Sequence, residues 1–399
     1  MQSQLGWVWL SREERRAAEA ALADLGPDGT RDELGFGVIH FAYADRFFPG
    51  TSVQHTSLRY VWFVCWIYQD LAARHGGGSF PTAARATMED QVGHKLLDFY
   101  GPGDGTGIIG GRVLRAGRSP VTKPSAVYWN AMRLWGLISP LQRNGEPPAR
   151  SELEWRWDEL TGRHERPEVD AVEYHSLFAD PPAAPKAWRR AREVTFELDE
   201  SNGEASRIRK AWRAQRDPFG RQTLLSRLAE GKVPAPKRMA GGKVLALCVD
   251  QHERDSLVRA ERAGALAAIA RAVHTHLVQG LKPGSNDLAA RTRKWVDDSV
   301  GIFGEDARLL DLSGLRVDVP ALGTLQILIE ATQRWLAEGA GDLAPLEPIY
   351  RAREIEQRPG RALLATDAGA RRDSWSARER YPLTYRWEKV RGFLGELAE

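Results

Sequence analysis

The sequence predicts a mainly α-helical, multi-domain protein with one small β-hairpin in its N-terminal part. Three observations carry that expectation. At 399 residues the chain is long enough for two or three domains, each with its own core. Apolar side chains recur at intervals of three and four, the period of a helix that buries one face. Ser or Thr followed three residues later by Glu, a helix-start signal, occurs at Ser11 with Glu14, Thr30 with Glu33 and Ser201 with Glu204. With 42% hydrophobic and 27% charged residues, the composition excludes a low-complexity or disordered chain.

Taken in order, Ser11 opens a helix to about Leu25, where Gly26-Pro27 stops it. Thr30 opens a second helix to Phe48, and Pro49-Gly50 ends it. Thr56 caps a third, from Ser57 to Arg74, with Tyr60, Phe63, Val64, Ile67 and Leu71 on a wide apolar face. After Gly76-Gly77-Gly78 comes a helix from Thr82 to Tyr100, then a glycine-rich segment from Gly101 to Gly111. Ile108-Ile109 and Val113-Leu114 are expected to pair as a basic hairpin, and the helix from Ala126 to Ile138 behind it suggests a winged-helix-like arrangement. These elements make an N-terminal domain, residues 1–145. Residues 146–187, with Pro147, Pro148, Pro167, Pro181, Pro182 and Pro185, read as an extended connector. A basic helical middle region, 188–280, holds helices opening at Ser201, from Gln222 to Glu230, and from Val244 to Val278. A helical C-terminal region, 281–399, has helices near 287–300, 324–338 and 387–397.

Two cysteines, Cys65 and Cys248, exclude a disulfide framework or a thiolate zinc site and fit a cytoplasmic protein. The first residues lack a basic region followed by an apolar run, so no secretory signal is expected. The longest apolar stretch, Tyr60 to Tyr68, is too short to span a bilayer.

Net charge is only +3, yet it is unevenly spread. Residues 105–145 contain six basic side chains, among them Arg112, Arg115, Arg118 and Lys123, and no acid. Residues 186–243 carry 15 Lys and Arg against seven Asp and Glu, leaving the remainder acidic. Phosphate neutralisation by Arg and Lys is the main requirement of nucleic-acid binding. The candidate nucleic-acid-binding residues are therefore Arg59, Arg112, Arg115, Arg118, Lys123, Arg207, Lys210, Arg213 and Arg216. Arg59 qualifies because it stands with Thr51, Ser52 and Thr56 at a helix start, where free N–H groups favour an anion. In the helix after Ser201, Ile208 and Trp212 can face a core while the cations spread over the rest. Of 14 tryptophans most should pack inside, whereas Trp155 and Trp157, in the connector, are expected to mark a partner-binding surface.

Other chemistry finds little support. Gly105-Thr106-Gly107-Ile108-Ile109-Gly110 has dinucleotide-fingerprint spacing, but no capped helix follows and no acid appears before Glu146. His164 with Glu165, His252 with Asp250 and Glu253, and His274 with His276 lack metal-ligand spacing. Asp297-Asp298, Glu305-Asp306 and Asp311 with Asp318 could hold a divalent ion only if they converge. No metal, cofactor or catalytic residue is assigned.

A signature of Gly6-Trp7, Phe48-Pro49-Gly50-Thr51-Ser52, Arg59-Tyr60, Phe63-Val64, Trp66-Ile67-Tyr68, Pro124-Ser125-Ala126-Val127-Tyr128-Trp129 and Trp135-Gly136 resembles an uncharacterised bacterial family, domain of unknown function 6361. Cys65 stands where that family commonly has Pro, and the match beyond about residue 140 is looser, near Glu204 and after Val244. The resemblance implies an accessory component of anti-phage defence clusters, beside helicases and phospholipase-D-type nucleases, without an activity of its own. Together with the charge pattern it leads to the expectation of a non-catalytic subunit that engages DNA backbone and docks such partners. A pure protein scaffold and a metal-dependent nuclease are the alternatives.

Overall fold

A computed structural model describes residues 32–101, 103, 106–140, 145–161, 177–185, 188, 194–231, 236–282 and 286–398. The helix expected from Ser11 to Leu25, the Gly6-Trp7 motif and the His164-Glu165 pair lie outside them. The described residues are mainly helical, as expected, and none of those helices is long and apolar enough to cross a membrane. They contain no strand; the β-type contacts are two isolated antiparallel bridges, Ile138 with Phe178 and Arg216 with Gln222. The expected hairpin is absent. Gly110 and Gly117 both take φ +68°, and these left-handed residues begin and end a short helix, Gly111–Arg115, where extended pairing was anticipated.

The chain divides into two compact units, each discontinuous in sequence: Pro49–Pro234 with Lys389–Glu399, and Arg31–Phe48 with Ala235–Glu388. Helix α1 (Gly37–Phe47) belongs to the second unit. The first contains α2 (Tyr60–His75), α3 (Thr82–Tyr100), α4 (Gly111–Arg115), α5 (Pro124–Leu134), α6 (Arg150–Trp155), α7 (Trp157–Thr161), α8 (Glu204–Arg213) and α9 (Leu224–Glu230). In the second follow α10 (Gly242–Leu245), α11 (Gln251–Gly280), α12 (Asn286–Arg308), α13 (Leu312–Asp318), α14 (Leu325–Ala337), α15 (Glu347–Gln357) and α16 (Gly369–Asp373). The last helix, α17 (Trp387–Glu396), contributes its residues from Lys389 onward to the first unit.

In the first unit α2 is the central element. Every residue from Tyr60 to Tyr68 is buried, as a helix apolar on all sides must be. Helices α3 and α5 pack on it. Its surroundings are rich in tryptophan, and three indole N–H groups end on carbonyls outside helices: Trp66 donates to Pro182 O (2.9 Å), Trp129 to Pro148 O (3.0 Å) and Trp135 to Pro49 O (3.0 Å). Such carbonyls have no helical partner, so they can satisfy a buried donor. Pro148 and Pro182 lie in the stretch read as an extended connector. That stretch carries α6 and α7 and sends Phe178 into the core.

In the second unit α11 packs most extensively against α12. Ala260, Ala263, Ala267, Ala268 and Ala270 are all buried, and small side chains permit close helix approach. The single helix expected over 244–278 is broken before Gln251. Asp250 Oδ1 accepts from Glu253 N (2.8 Å), an N-cap, and Glu253 Oε2 accepts from Val249 N (2.9 Å) just before it, so α11 starts afresh. Tyr385 and Arg386 both have positive φ, 51° and 67°. Their strain is held by Tyr385 Oη donating to Ala260 O (2.6 Å) and by an Arg386–Asp45 ion pair (2.7 Å).

Candidate nucleic-acid interface

The site is built on α4. Gly110 precedes it in the left-handed region, and a Cβ there would lie 2.3 Å from Pro120 Cγ, so only glycine lets the following turn fold back. Gly117 ends it: Gly117 N donates to Leu114 O (2.8 Å) and Arg118 N to Val113 O (3.1 Å), the paired bonds of a Schellman motif. Leu114 is buried over Gly93 of α3, where a Cβ would stand 2.4 Å from Leu114 Cδ1. This anchor turns Arg112 and Arg115 outward, and Arg118 follows on the turn; all three are exposed. None of the three makes an ion pair with another described residue. Lys123, four residues beyond Ser119, is different. It is buried, pairs with Asp90 and donates to Ser119 Oγ (2.7 Å), which itself donates to Asp90 Oδ2 (2.7 Å). Its charge is used internally to tie the turn to α3.

The N–H groups that a phosphate would use at the start of α4 are largely taken. The N–H groups of Gly111, Val113 and Leu114 are already bonded to Ile108 O and Gly110 O, and Ile109 N is bonded to Tyr60 Oη (3.0 Å).

Helix α8 presents a second group. Its start differs from the expected Ser201 box: Gly203, at φ +72°, is the N-cap, and Ser201 Oγ donates to Asp199 Oδ1 (2.6 Å). Ile208 and Trp212 are buried as expected. Glu204, fully buried, accepts from Asp199 N (3.2 Å) and forms a two-pronged ion pair with Arg59, at 3.0 and 3.2 Å. Arg59 also donates to Thr195 O and Oγ1. It is therefore a strut between α2 and α8, with no guanidinium left for phosphate. Arg207 donates to Asp180 O (2.9 Å) and Asn202 O (2.9 Å) and lies 3.6 Å from the Asp180 carboxylate. Arg213 donates to Ala229 O (3.2 Å), and Arg216 to Arg213 O (2.7 Å) and Gln215 O (2.9 Å). A bond to a neutral carbonyl fixes a guanidinium without cancelling its charge. Arg213 and Arg216 thus still contribute positive potential from restrained positions, and exposed Lys210 adds its own charge beside them.

The anion expected at the start of α2 is supplied by the chain itself. Glu396 Oε2 accepts from Leu58 N (2.8 Å) and Ser57 Oγ (3.0 Å). Tyr128 Oη accepts from Thr56 N (2.8 Å) and Ser57 N (3.1 Å). The sequence gives no local signal for Glu396, some 340 residues away.

The two connector tryptophans part company. Trp155 is 82% exposed. Trp157 is buried, stacks edge-on against Phe80 at 5.0 Å and donates to His75 O (3.0 Å), so it is core and not a partner surface. Between them and α3 lies a buried polar network. Arg85 donates to Glu89 Oε2 (2.7 Å), Ser125 N donates to Glu89 Oε1 (2.7 Å), and Tyr68 and Arg150 both donate to Glu154 Oε1 (2.9 and 2.6 Å). Burial raises the Glu89 carboxyl, against the pull of Arg85 and the Ser125 bonds. Both oxygens are committed to Arg85 and to the start of α5, which is a structural assignment.

In the second unit the acids that a divalent ion would require, Glu305 apart, already face basic side chains, and Asp311 and Asp318 share one, Arg259. Asp297 pairs with Arg293 (3.0 Å), Asp298 with Lys294 (2.6 Å), Asp306 lies 3.6 Å from Arg238, and Asp311 pairs with Arg259 (3.1 Å). Asp318, fully buried, accepts from Tyr43 Oη (2.9 Å), Arg46 (2.9 Å), Ser256 Oγ (2.9 Å) and Arg259 Nε (2.8 Å). Burial pushes its carboxyl up, but the bonds from Arg259, Tyr43 and Ser256 outweigh burial and hold it below 3.8. His274 faces Glu354 at 3.2 Å inside the unit, His276 Nδ1 lies 3.1 Å from Thr292 Oγ1, and His252 is exposed. No three His, Cys, Asp or Glu side chains among the described residues converge as a metal site.

Compared with known proteins, no curated protein and no solved structure matches the chain. Residues 2–142, a range that includes α4 and the Arg118 turn, match a family of unknown function (DUF6361).

Proposed function

We propose that the chain is a non-catalytic component of an anti-phage defence complex that engages DNA backbone through α4 and its turn. The single observation that carries the binding reading is three exposed guanidinium groups, Arg112, Arg115 and Arg118, in a segment without an acid between residues 105 and 145. Arg is suited to phosphate because its planar fork makes two parallel bonds and keeps its charge at any physiological pH. Lys210, Arg213 and Arg216 form a secondary surface, while Arg59, Lys123 and Arg207 hold the fold. No base needs to be read, since phosphate contacts fix position and supply affinity without sequence information. The defence setting, and the helicase or phospholipase-D-type nuclease partners, rest on the family resemblance alone.

The test is fluorescence anisotropy of labelled single-stranded and duplex DNA across a salt series, with magnesium present and products resolved on a gel. Steeply salt-dependent binding without cleavage, abolished by R112E/R115E/R118E, is the expected result. Absence of binding at low salt would leave the scaffold reading, which exposed Trp155 favours. Magnesium-dependent cleavage would favour the nuclease reading, against which the basic partners of Asp297, Asp298, Asp311 and Asp318 argue.

A further inference from the structure

We infer that the outer face of α12 pairs antiparallel with the same helix of a second copy of the chain. Leu288, Trp295, Ile302 and Leu309 recur at intervals of seven. Leu309 N donates to Glu305 O (3.1 Å), so the helical path continues past Arg308 to include it. Leu288, Ile302 and Leu309 are 43%, 71% and 53% exposed, and Trp295 is half-buried. The residues α12 buries, Thr292, Val296, Ser299, Gly304 and Ala307, are a different set. The apolar line is therefore additional to the packing within the unit. A seven-residue interval drifts by about 20° per repeat on a straight helix and is brought into line when two helices coil around each other. An exposed line of this period along a helix of 23 residues, about 34 Å, matches what a second helix would cover.

Charge chooses the occupant and its direction. Arg291 and Glu305 flank the line, are exposed, and neither makes an ion pair with a described residue. Arg291 lies over the Trp295 ring at 5.2 Å. The neighbouring charges are already paired within the helix, Arg293 with Asp297 and Lys294 with Asp298. In the antiparallel register that sets Leu288 against Leu309 and Trp295 against Ile302 of the other copy, Arg291 meets Glu305, and the twofold axis repeats that pair. In a parallel twofold pair the same flank of the two helices falls on opposite sides of the seam, so Arg291 and Glu305 would not meet. The sequence of α12 is self-complementary in the antiparallel sense only, which is the condition for a closed twofold interface. Apolar layers over one helix length lie at the small end of specific interfaces, so a dissociation constant on the order of micromolar is expected.

Sedimentation velocity of the full chain without nucleic acid, over a wide loading range, tests this. A reversible monomer–dimer equilibrium is expected, weakened at least about tenfold by I302E/L309E, with the circular-dichroism melt unchanged because both sites are exposed. R291E alone should weaken the dimer, and R291E/E305R should restore it, since the exchanged charges meet again. A monomer at every loading, or a dimer indifferent to I302E/L309E, overturns the proposal. If R291E/E305R stays as weak as R291E, the antiparallel register is overturned.

Discussion

Helices α4 and α8 carry basic residues at the same interval of three, yet the two surfaces differ in what their guanidinium groups already hold. On α4 and its turn, Arg112, Arg115 and Arg118 extend from a scaffold fixed by Leu114 and two left-handed glycines, and no carboxylate among the described residues pairs with them. On α8, Arg207 is bound to Asp180 and Asn202, and Arg213 and Arg216 to backbone carbonyls. Arg59, a candidate for its place at a helix start, is consumed by Glu204. Counting cations along a sequence measures potential charge; what is free to meet a phosphate depends on acids and carbonyls brought in by the fold.

Glu204→Ala leaves Arg59 without its buried partner and should destabilise the first unit by about 3 kcal/mol, read as a lower urea midpoint. If stability is unchanged, Arg59 is not a strut and returns to the list of free cations. Asp318→Asn, in the second unit, should cost about 2–3 kcal/mol by stranding Arg259 and Arg46. Because the folded carboxyl is held below 3.8, its contribution is full above that value and fades as pH falls further. Urea unfolding at neutral pH and near pH 3 should therefore show a smaller acid-induced loss in Asp318→Asn than in the unaltered chain. R112A/R115A/R118A should weaken DNA binding at least tenfold, about 1.4 kcal/mol, while the melting temperature stays put because no fold contact is removed. Trp155→Ala is the smallest change, within about 0.5 kcal/mol of stability, whereas Trp157→Ala should cost about 3 kcal/mol or more; equal effects would mean that the two rings do not differ in burial.

Much of the fold was legible because helical periodicity is local. Residues 82–100 form the helix expected there, and Ile208 and Trp212 face the core. The errors also have local causes. The Asp250–Glu253 start signal is present in the sequence, but the apolar runs on either side of it have helical spacing and read as one helix. Ile108-Ile109 and Val113-Leu114 have strand-like composition, but Gly110 and Gly117 impose helical geometry between them. Helix α15 was missed because its sequence is largely polar and only Tyr350 and Glu354 are buried. The candidate site was half legible. That α4 is basic follows from counting, but that Lys123 belongs to Asp90, Arg59 to Glu204 and the α2 start to Glu396 depends on contacts up to some 340 residues apart, which no spacing rule encodes.

The guanidinium groups of Arg112, Arg115 and Arg118, and not the carbonyl-bound ones of Arg213 and Arg216, are expected to carry polyanion binding. The most direct test of this is the slope of log affinity against log salt for the unaltered chain, R112A/R115A/R118A and K210A/R213A/R216A, on one duplex. If each α4 arginine releases counterions from one phosphate, the first variant should lose close to three units of slope, about 0.9 per contact, and the second distinctly less. Equal losses, or a larger loss from α8, would contradict the account.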